Sequence, residues 1–88
     1  MKICFEESFE QDLKQLKDKL FLKRIKQVIE ELKLSTRLEN VKNVKKMTGY
    51  NNFYRIRLGD YRMGIEVVDD EVIITRLLHR KDIYRYFP

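Results

Sequence analysis

Three arginines fall within eight residues, at Arg55, Arg57 and Arg62, in the run Tyr54-Arg55-Ile56-Arg57-Leu58-Gly59-Asp60-Tyr61-Arg62. A guanidinium group is planar and offers paired N–H donors, so it is the side chain best shaped to grip a phosphate. It also stays charged, so it can offset negative charge that builds up on a reacting phosphorus. The first ligand to consider is therefore a phosphodiester backbone. Arg76 and Arg80 follow downstream, with His79, the one histidine, between them. Histidine is the residue type that exchanges protons near neutral pH, which makes His79 a candidate acid or base. Tyr84 and Phe53 are aromatic groups on which an unpaired base could stack.

The elements that must position these groups can be read from periodicity. Residues 53 to 58 and 61 to 68 alternate as two strands joined by a tight turn at Gly59-Asp60. Tyr54, Ile56 and Leu58 share one face with Tyr61, Met63, Ile65 and Val67; Arg55, Arg57 and Arg62 share the other, with Phe53. Glu66 has the parity of Arg62 and could neutralise part of the patch. A last strand runs from Val72 to about His79. There Val72, Ile74, Arg76, Leu78 and Arg80 have the same parity, so pattern alone does not settle which way the strand faces. His79 has the opposite parity to Arg80. If the strand stays regular, one of the two points toward the helices.

Upstream, Lys2 to Glu6 alternates as a first strand. Ser8 with Gln11 forms a capping-box pattern, and Phe9, Leu13 and Leu16 recur at helical spacing, which predicts a helix over 9–17. Asp18 can cap a second helix carrying Leu22, Ile25, Ile29 and Leu32 as one stripe. Residues 35 to 49 are the least regular segment; Lys42, Lys45 and Lys46 make it basic, and the last two are candidates for contact with RNA. Residues 81 to 87 could form one helical turn, beginning with Lys81, a further RNA-binding candidate. The expected architecture is α+β. An N-terminal strand precedes an antiparallel helical hairpin packed on one face of a mainly antiparallel four-stranded sheet, with a short C-terminal helical turn. The other sheet face is left open and carries the arginines.

Composition sets the bounds. With 88 residues the chain is one domain, 1–88, and a domain of this size buries only about 60% of the surface its unfolded chain exposes. Hydrophobic residues make up 43% and charged residues 38%, which is globular rather than disordered. The net charge of +5 favours a polyanionic partner, because each neutralised phosphate releases counterions. A single cysteine, Cys4, allows no internal disulfide, and one histidine allows no multi-histidine metal site. The chain opens on no apolar signal region, and no stretch is long enough to cross a membrane, so a cytoplasmic protein with no membrane partner is expected.

The tyrosine-arginine-x-arginine element at 54–57, the glycine-aspartate-tyrosine-arginine element at 59–62 and the histidine-arginine-x-x-x-tyrosine element at 79–84 together resemble the RelE/ParE toxin superfamily, most closely its RelE-like members that cleave messenger RNA. The resemblance spans essentially the whole chain. It implies a type II toxin that enters the ribosomal A site and cuts the message without a metal or other cofactor, the 2′-hydroxyl attacking the adjacent phosphate. It also implies catalytic positions at Arg55, Arg57, Arg62, Arg80 and Tyr84. Arg57 or its neighbour would grip the phosphate or help activate the nucleophile. Arg62 would stabilise the phosphorane, Arg80 would sit near the leaving 5′-oxygen, and Tyr84 would hold a base. Lysines often stand where this chain has Arg55 and Arg57, and an arginine is a poor general base. A basic residue often precedes the loop glycine, where this chain has Thr48 before Gly49. The partners implied are the ribosome and its messenger RNA, and a RelB-like antitoxin in a hetero-oligomeric complex. The alternatives are a ParE-like inhibitor of DNA gyrase and a catalytically weak RNA or ribosome binder.

Overall fold

Chain order runs β1 (Lys2–Phe5), α1 (Glu7–Lys14), α2 (Lys19–Leu34), β2 (Val44–Lys46), β3 (Phe53–Leu58), β4 (Tyr61–Val68), β5 (Glu71–His79) and α3 (Ile83–Tyr86), with a short 3-10 turn at Leu38–Asn40. This is a computed structural model and it describes Met1–Pro88. The strands form one sheet in the order β1-β5-β4-β3-β2. β1 lies parallel to β5, and every other pairing is antiparallel. No helix is long and apolar enough to cross a membrane.

The fold class is the expected α+β arrangement, with a fifth strand beyond the four read from the sequence. That strand, β2, lies in the segment read as irregular. Its three residues are too few to show a period; they are strand only because Val44, Lys45 and Lys46 pair with Ile56, Arg55 and Tyr54. Asp18 caps α2 as expected, accepting the N–H groups of Leu20 and Phe21 at 3.0 and 3.2 Å. α1 differs from its expected bounds of 9–17. It starts at Glu7 with no side-chain cap, and Ser8 lies inside it. The Ser8 hydroxyl donates instead to the Thr75 carbonyl at 2.6 Å. One helical turn on, Asp12 accepts the Leu77 N–H at 2.9 Å. α1 thus satisfies the edge of β5 beyond the point where β1 ends, and that tertiary demand outweighs the local capping pattern.

The helices cover one sheet face. Phe9, Ile25 and Leu32 pack there against Ile56, Leu58, Met63, Ile65, Val72, Ile74 and Leu77, all buried. At about 25 cal/mol per Å² of apolar surface removed from water, this layer is the main source of stability. The opposite face is not wholly open. A second small core of Met47, Ile83 and Phe87, flanked by Phe53 and Leu78, seats α3 on one end of it.

A bulge in β5 decides the facing that pattern left unsettled. Ile65 pairs with Ile74 but Gly64 pairs with Arg76, so Thr75 is an extra residue. Its hydroxyl donates to the Gly64 carbonyl at 3.0 Å, which satisfies it although it is buried. The bulge reverses parity: Val72 and Ile74 face the helices, and so do Leu77 and His79, while Arg76 and Leu78 take the other face.

Candidate functional site

The β3–β4 hairpin builds the site. Gly59 takes a φ of +59°, in the left-handed region that a tight turn needs. The turn fixes the register so that Arg57 stands directly opposite Arg62. Arg55 stands opposite Gly64 on one side and Lys45 on the other. All four cations lie on the face away from the helices. Like charges placed opposite one another across strands are destabilising, so folding alone does not favour this arrangement.

An open cleft of about 370 Å³ is lined by Asn43, Val44, Lys45, Arg55, Arg57 and Arg62. Arg62 is pinned at its wall: its Nη1 donates to the carbonyls of Gly59 and Tyr61 at 2.8 and 2.9 Å. Burial holds the Arg62 guanidinium below its ordinary pKa, and the positive charges of Arg57, Arg55 and Arg80 push the same way. Arg55 and Arg57 share the lining of this cleft with Arg62. The Tyr84 hydroxyl acts on Arg62 in the opposite sense.

Arg80 reaches this group because its backbone N–H donates to the Asp60 carbonyl at 2.7 Å, tying the end of β5 to the hairpin turn. Tyr84 reaches it through α3. Phe87 packs over Gly64, where a Cβ would come within 2.8 Å of the ring, so only glycine leaves α3 its seat. The Tyr84 ring then lies under the Arg55 guanidinium, 5.1 Å from centroid to carbon, and stays 65% exposed. This is within cation–π range and leaves the outer ring face free.

No carboxylate neutralises the cluster. The chain's three ion pairs are Lys2–Glu71, Lys33–Glu30 and Arg76–Asp12, all elsewhere. Glu66, whose parity matches Arg62, instead accepts a hydrogen bond from the Asn52 amide at 2.9 Å. No three histidine, cysteine or carboxylate groups come close enough to share a metal ion.

The structure thus brings Arg55, Arg57, Arg62, Arg80, Tyr84 and Lys45 together. Other sequence candidates sit apart. Arg76 is on the same sheet face, but its Nε and Nη2 donate to Asp12 at 2.8 and 3.1 Å. That bond raises its pKa, against the effect of burial. Lys46 pairs with Tyr54 and points to the face opposite Lys45. Phe53 packs edge-on between Tyr50 and Phe87, as part of the small core. Lys81 is exposed in the turn after β5. His79 stacks edge-on against Tyr61, 5.7 Å away on the helix side of the sheet, and its Nδ1 accepts the Lys81 N–H at 3.2 Å.

Asn43 is not among the sequence candidates, although it lines the cleft. It adopts φ +64° and its carbonyl accepts the Arg57 N–H at 3.0 Å. Asparagine tolerates that conformation better than most residues, so an asparagine between two apolar positions at 41 and 44 was the available signal.

A small α+β domain whose sheet presents unpaired guanidinium groups around an open cleft has the charge and shape to receive an anion. Comparison with known proteins narrows this. Residues 3–84 match the family model of the ParE toxin of the type II toxin-antitoxin system parDE. The chain is 51% identical over 89 residues to Toxin RelE3 of Methanocaldococcus jannaschii, spanning 100% of both. It superposes with a TM-score of 0.81 on a chain of the RelB-RelE antitoxin-toxin complex from Methanococcus jannaschii, at 50% identity, covering 97% of this chain and 99% of that one. An archaeal RelE-RelB complex from Pyrococcus horikoshii matches with a TM-score of 0.73 at 25% identity, over 90% of this chain and 93% of that one. The chain belongs to the RelE/ParE superfamily and is a RelE-type toxin of a toxin-antitoxin system.

Proposed function

We propose that this toxin is a ribosome-dependent endoribonuclease that cuts messenger RNA in the A site, without a metal ion. The observation that carries this reading is that Arg55, Arg57 and Arg62 line one cleft, with Arg80 acting on Arg62 from the end of β5, and that none of them has a carboxylate partner. A group of cations that repel one another in the free protein becomes favourable only when an anion enters.

In the proposed reaction the 2′-hydroxyl attacks the adjacent phosphorus in line and gives its proton to water. The 5′-oxygen leaves, taking a proton from water, and a 2′,3′-cyclic phosphate remains. The arginines act as fixed cations rather than bases, since a guanidinium keeps its proton. Arg57 grips the scissile phosphate. Arg62, already held by two carbonyls, stabilises the charge on the phosphorane with little reorganisation. Arg80 offsets charge on the leaving oxygen. Tyr84 stacks a base on its free face and so fixes the angle of attack. Lys45 holds a neighbouring phosphate.

The partners proposed are the ribosome with its message and, for restraint, a RelB-like antitoxin in a hetero-oligomeric complex. The M. jannaschii and P. horikoshii complexes, each of a RelE with a RelB, support the latter. An acidic antitoxin segment would complement the cationic cleft.

The test is cleavage of a defined message on programmed ribosomes by wild type, Arg62→Ala and Arg80→Ala. The expected wild-type products are fragments cut within codons and ending in cyclic phosphate. Each variant should lose about 100-fold or more in rate while keeping a native unfolding curve. Intact message with arrested DNA supercoiling would overturn the proposal in favour of a gyrase inhibitor. Ribosome binding without cuts would leave only a binding protein.

A further inference from the structure

We infer that His79 is a positioning residue: by accepting the Lys81 N–H, its imidazole locks the turn that presents Arg80 to the cleft. The inference rests on the proposed cleavage for its kinetic readout, but not for its structural one.

The turn is held at three points. The Arg80 N–H donates to the Asp60 carbonyl at 2.7 Å, and the Asp82 N–H donates to the His79 carbonyl at 2.8 Å. Both bonds are backbone to backbone and would survive any side-chain change. Between them the Lys81 N–H has only the His79 Nδ1, at 3.2 Å. Arg80 lies between the two clamped amides, and its guanidinium is one of the charges that reach Arg62. Freeing the Lys81 amide lets the peptide before it rotate, and this peptide carries the Arg80 Cα.

The bond dictates the state of the ring. A nitrogen that accepts cannot carry a proton, so Nδ1 is bare and the proton of the neutral ring is on Nε2. Packing supports that orientation. The ring stands edge-on to Tyr61, which in turn packs against Phe21 of α2 at 5.1 Å, an aromatic ladder that limits ring rotation. His79 lies on the helix side of the sheet and Arg62 on the other, so its contribution to the chemistry runs through Arg80.

Asparagine and glutamine separate this role from general packing. In His79→Asn the side-chain amide oxygen would stand where Nδ1 stands and could accept the same N–H. In His79→Gln the longer side chain carries its amide to the position of Nε2 instead. Single-turnover cleavage on ribosomes should be about tenfold slower for His79→Gln and His79→Ala, the effect of one lost hydrogen bond, with ribosome affinity unchanged. His79→Asn should recover most of that loss. In the free toxin, ¹⁵N shifts of the His79 ring should report a bare Nδ1 and a protonated Nε2. Amide exchange at Lys81 should be slow in wild type and His79→Asn and faster in His79→Gln. A protonated Nδ1 in the neutral ring, or a His79→Asn variant as impaired as His79→Gln in Lys81 exchange, overturns the inference. These two measurements need no cleavage, so they still decide it if the wild-type toxin cuts no RNA.

Discussion

Gly64 is the position where fold and site depend on each other most directly, and substituting it gives a result that changes sign with its neighbour. A Cβ built on Gly64 would lie 2.8 Å from Cγ and Cδ1 of Phe87 and 2.9 Å from Cδ2. Ordinary carbon contacts are about 3.5–4.0 Å, so the ring must retreat by about 0.7 Å or more. Phe87 is 4% exposed and belongs to the small core that seats α3. Overpacking of this kind costs about 1–3 kcal/mol, and complete loss of the ring, as in Phe87→Ala, about 3–5 kcal/mol. The second figure is a ceiling on the first, because the ring can do no more than leave. In a Phe87→Ala background the obstruction is gone. Gly64 has no positive φ, so alanine there should now gain about 0.5 kcal/mol from the reduced freedom of the unfolded chain. Gly64→Ala should therefore destabilise the wild type and slightly stabilise Phe87→Ala. Urea unfolding of the four proteins in a double-mutant cycle measures this. Equal destabilisation in both backgrounds would refute the assignment of Gly64 as the seat of Phe87.

Three further outcomes follow from other parts of the molecule. Arg57→Gln should raise the stability of the free toxin by about 0.2–1 kcal/mol at low salt, by removing the like-charge pair with Arg62; the gain should shrink at about 1 M salt, and a loss of stability would refute the frustrated cluster. Asp12→Ala should cost about 2–4 kcal/mol in a urea titration, since it removes three accepted hydrogen bonds and leaves Arg76 unpaired; a cost under about 0.5 kcal/mol would sink its structural role. The Cys4 thiol donates to the Glu71 carboxylate, which holds its pKa above the ordinary value and keeps the reactive thiolate scarce. Glu71→Gln should bring that pKa down and speed alkylation at a fixed pH, read by mass spectrometry, whereas an unchanged rate would count against the contact.

Much of this was legible because period-two alternation is a local signal. The β3–β4 hairpin, its turn at Gly59-Asp60 and the common face of Arg55, Arg57 and Arg62 follow from it directly, and the Asp18 cap follows from another local signal, a capping residue just ahead of a helical stripe. What escaped depends on partners distant in sequence. β2 is a strand only through β3. Ser8 reads as a cap until the bare edge of β5 draws its hydroxyl to Thr75. Arg76 reads as a member of the cationic face until Asp12, 64 positions away, takes its guanidinium. The Thr75 bulge could not be foreseen, because one additional residue in an apolar strand leaves no mark in the pattern. Gly64 was the cue most open to use: a glycine inside a strand often marks a close approach by another group.

α1 has an effect that reaches beyond a single molecule. The distal half of β5 would otherwise bare its amide and carbonyl groups to any passing copy of the chain, the opening for fibrous growth. A hydroxyl at Ser8 and a carboxylate at Asp12 plug that margin like two pegs, one taking the donor's part and the other the acceptor's. At the far margin, Lys45 and Lys46 of the three-residue β2 discourage stacking by charge. Resistance to self-templating is thus encoded in the sheet's own borders, and it persists whenever the cationic face stands uncovered.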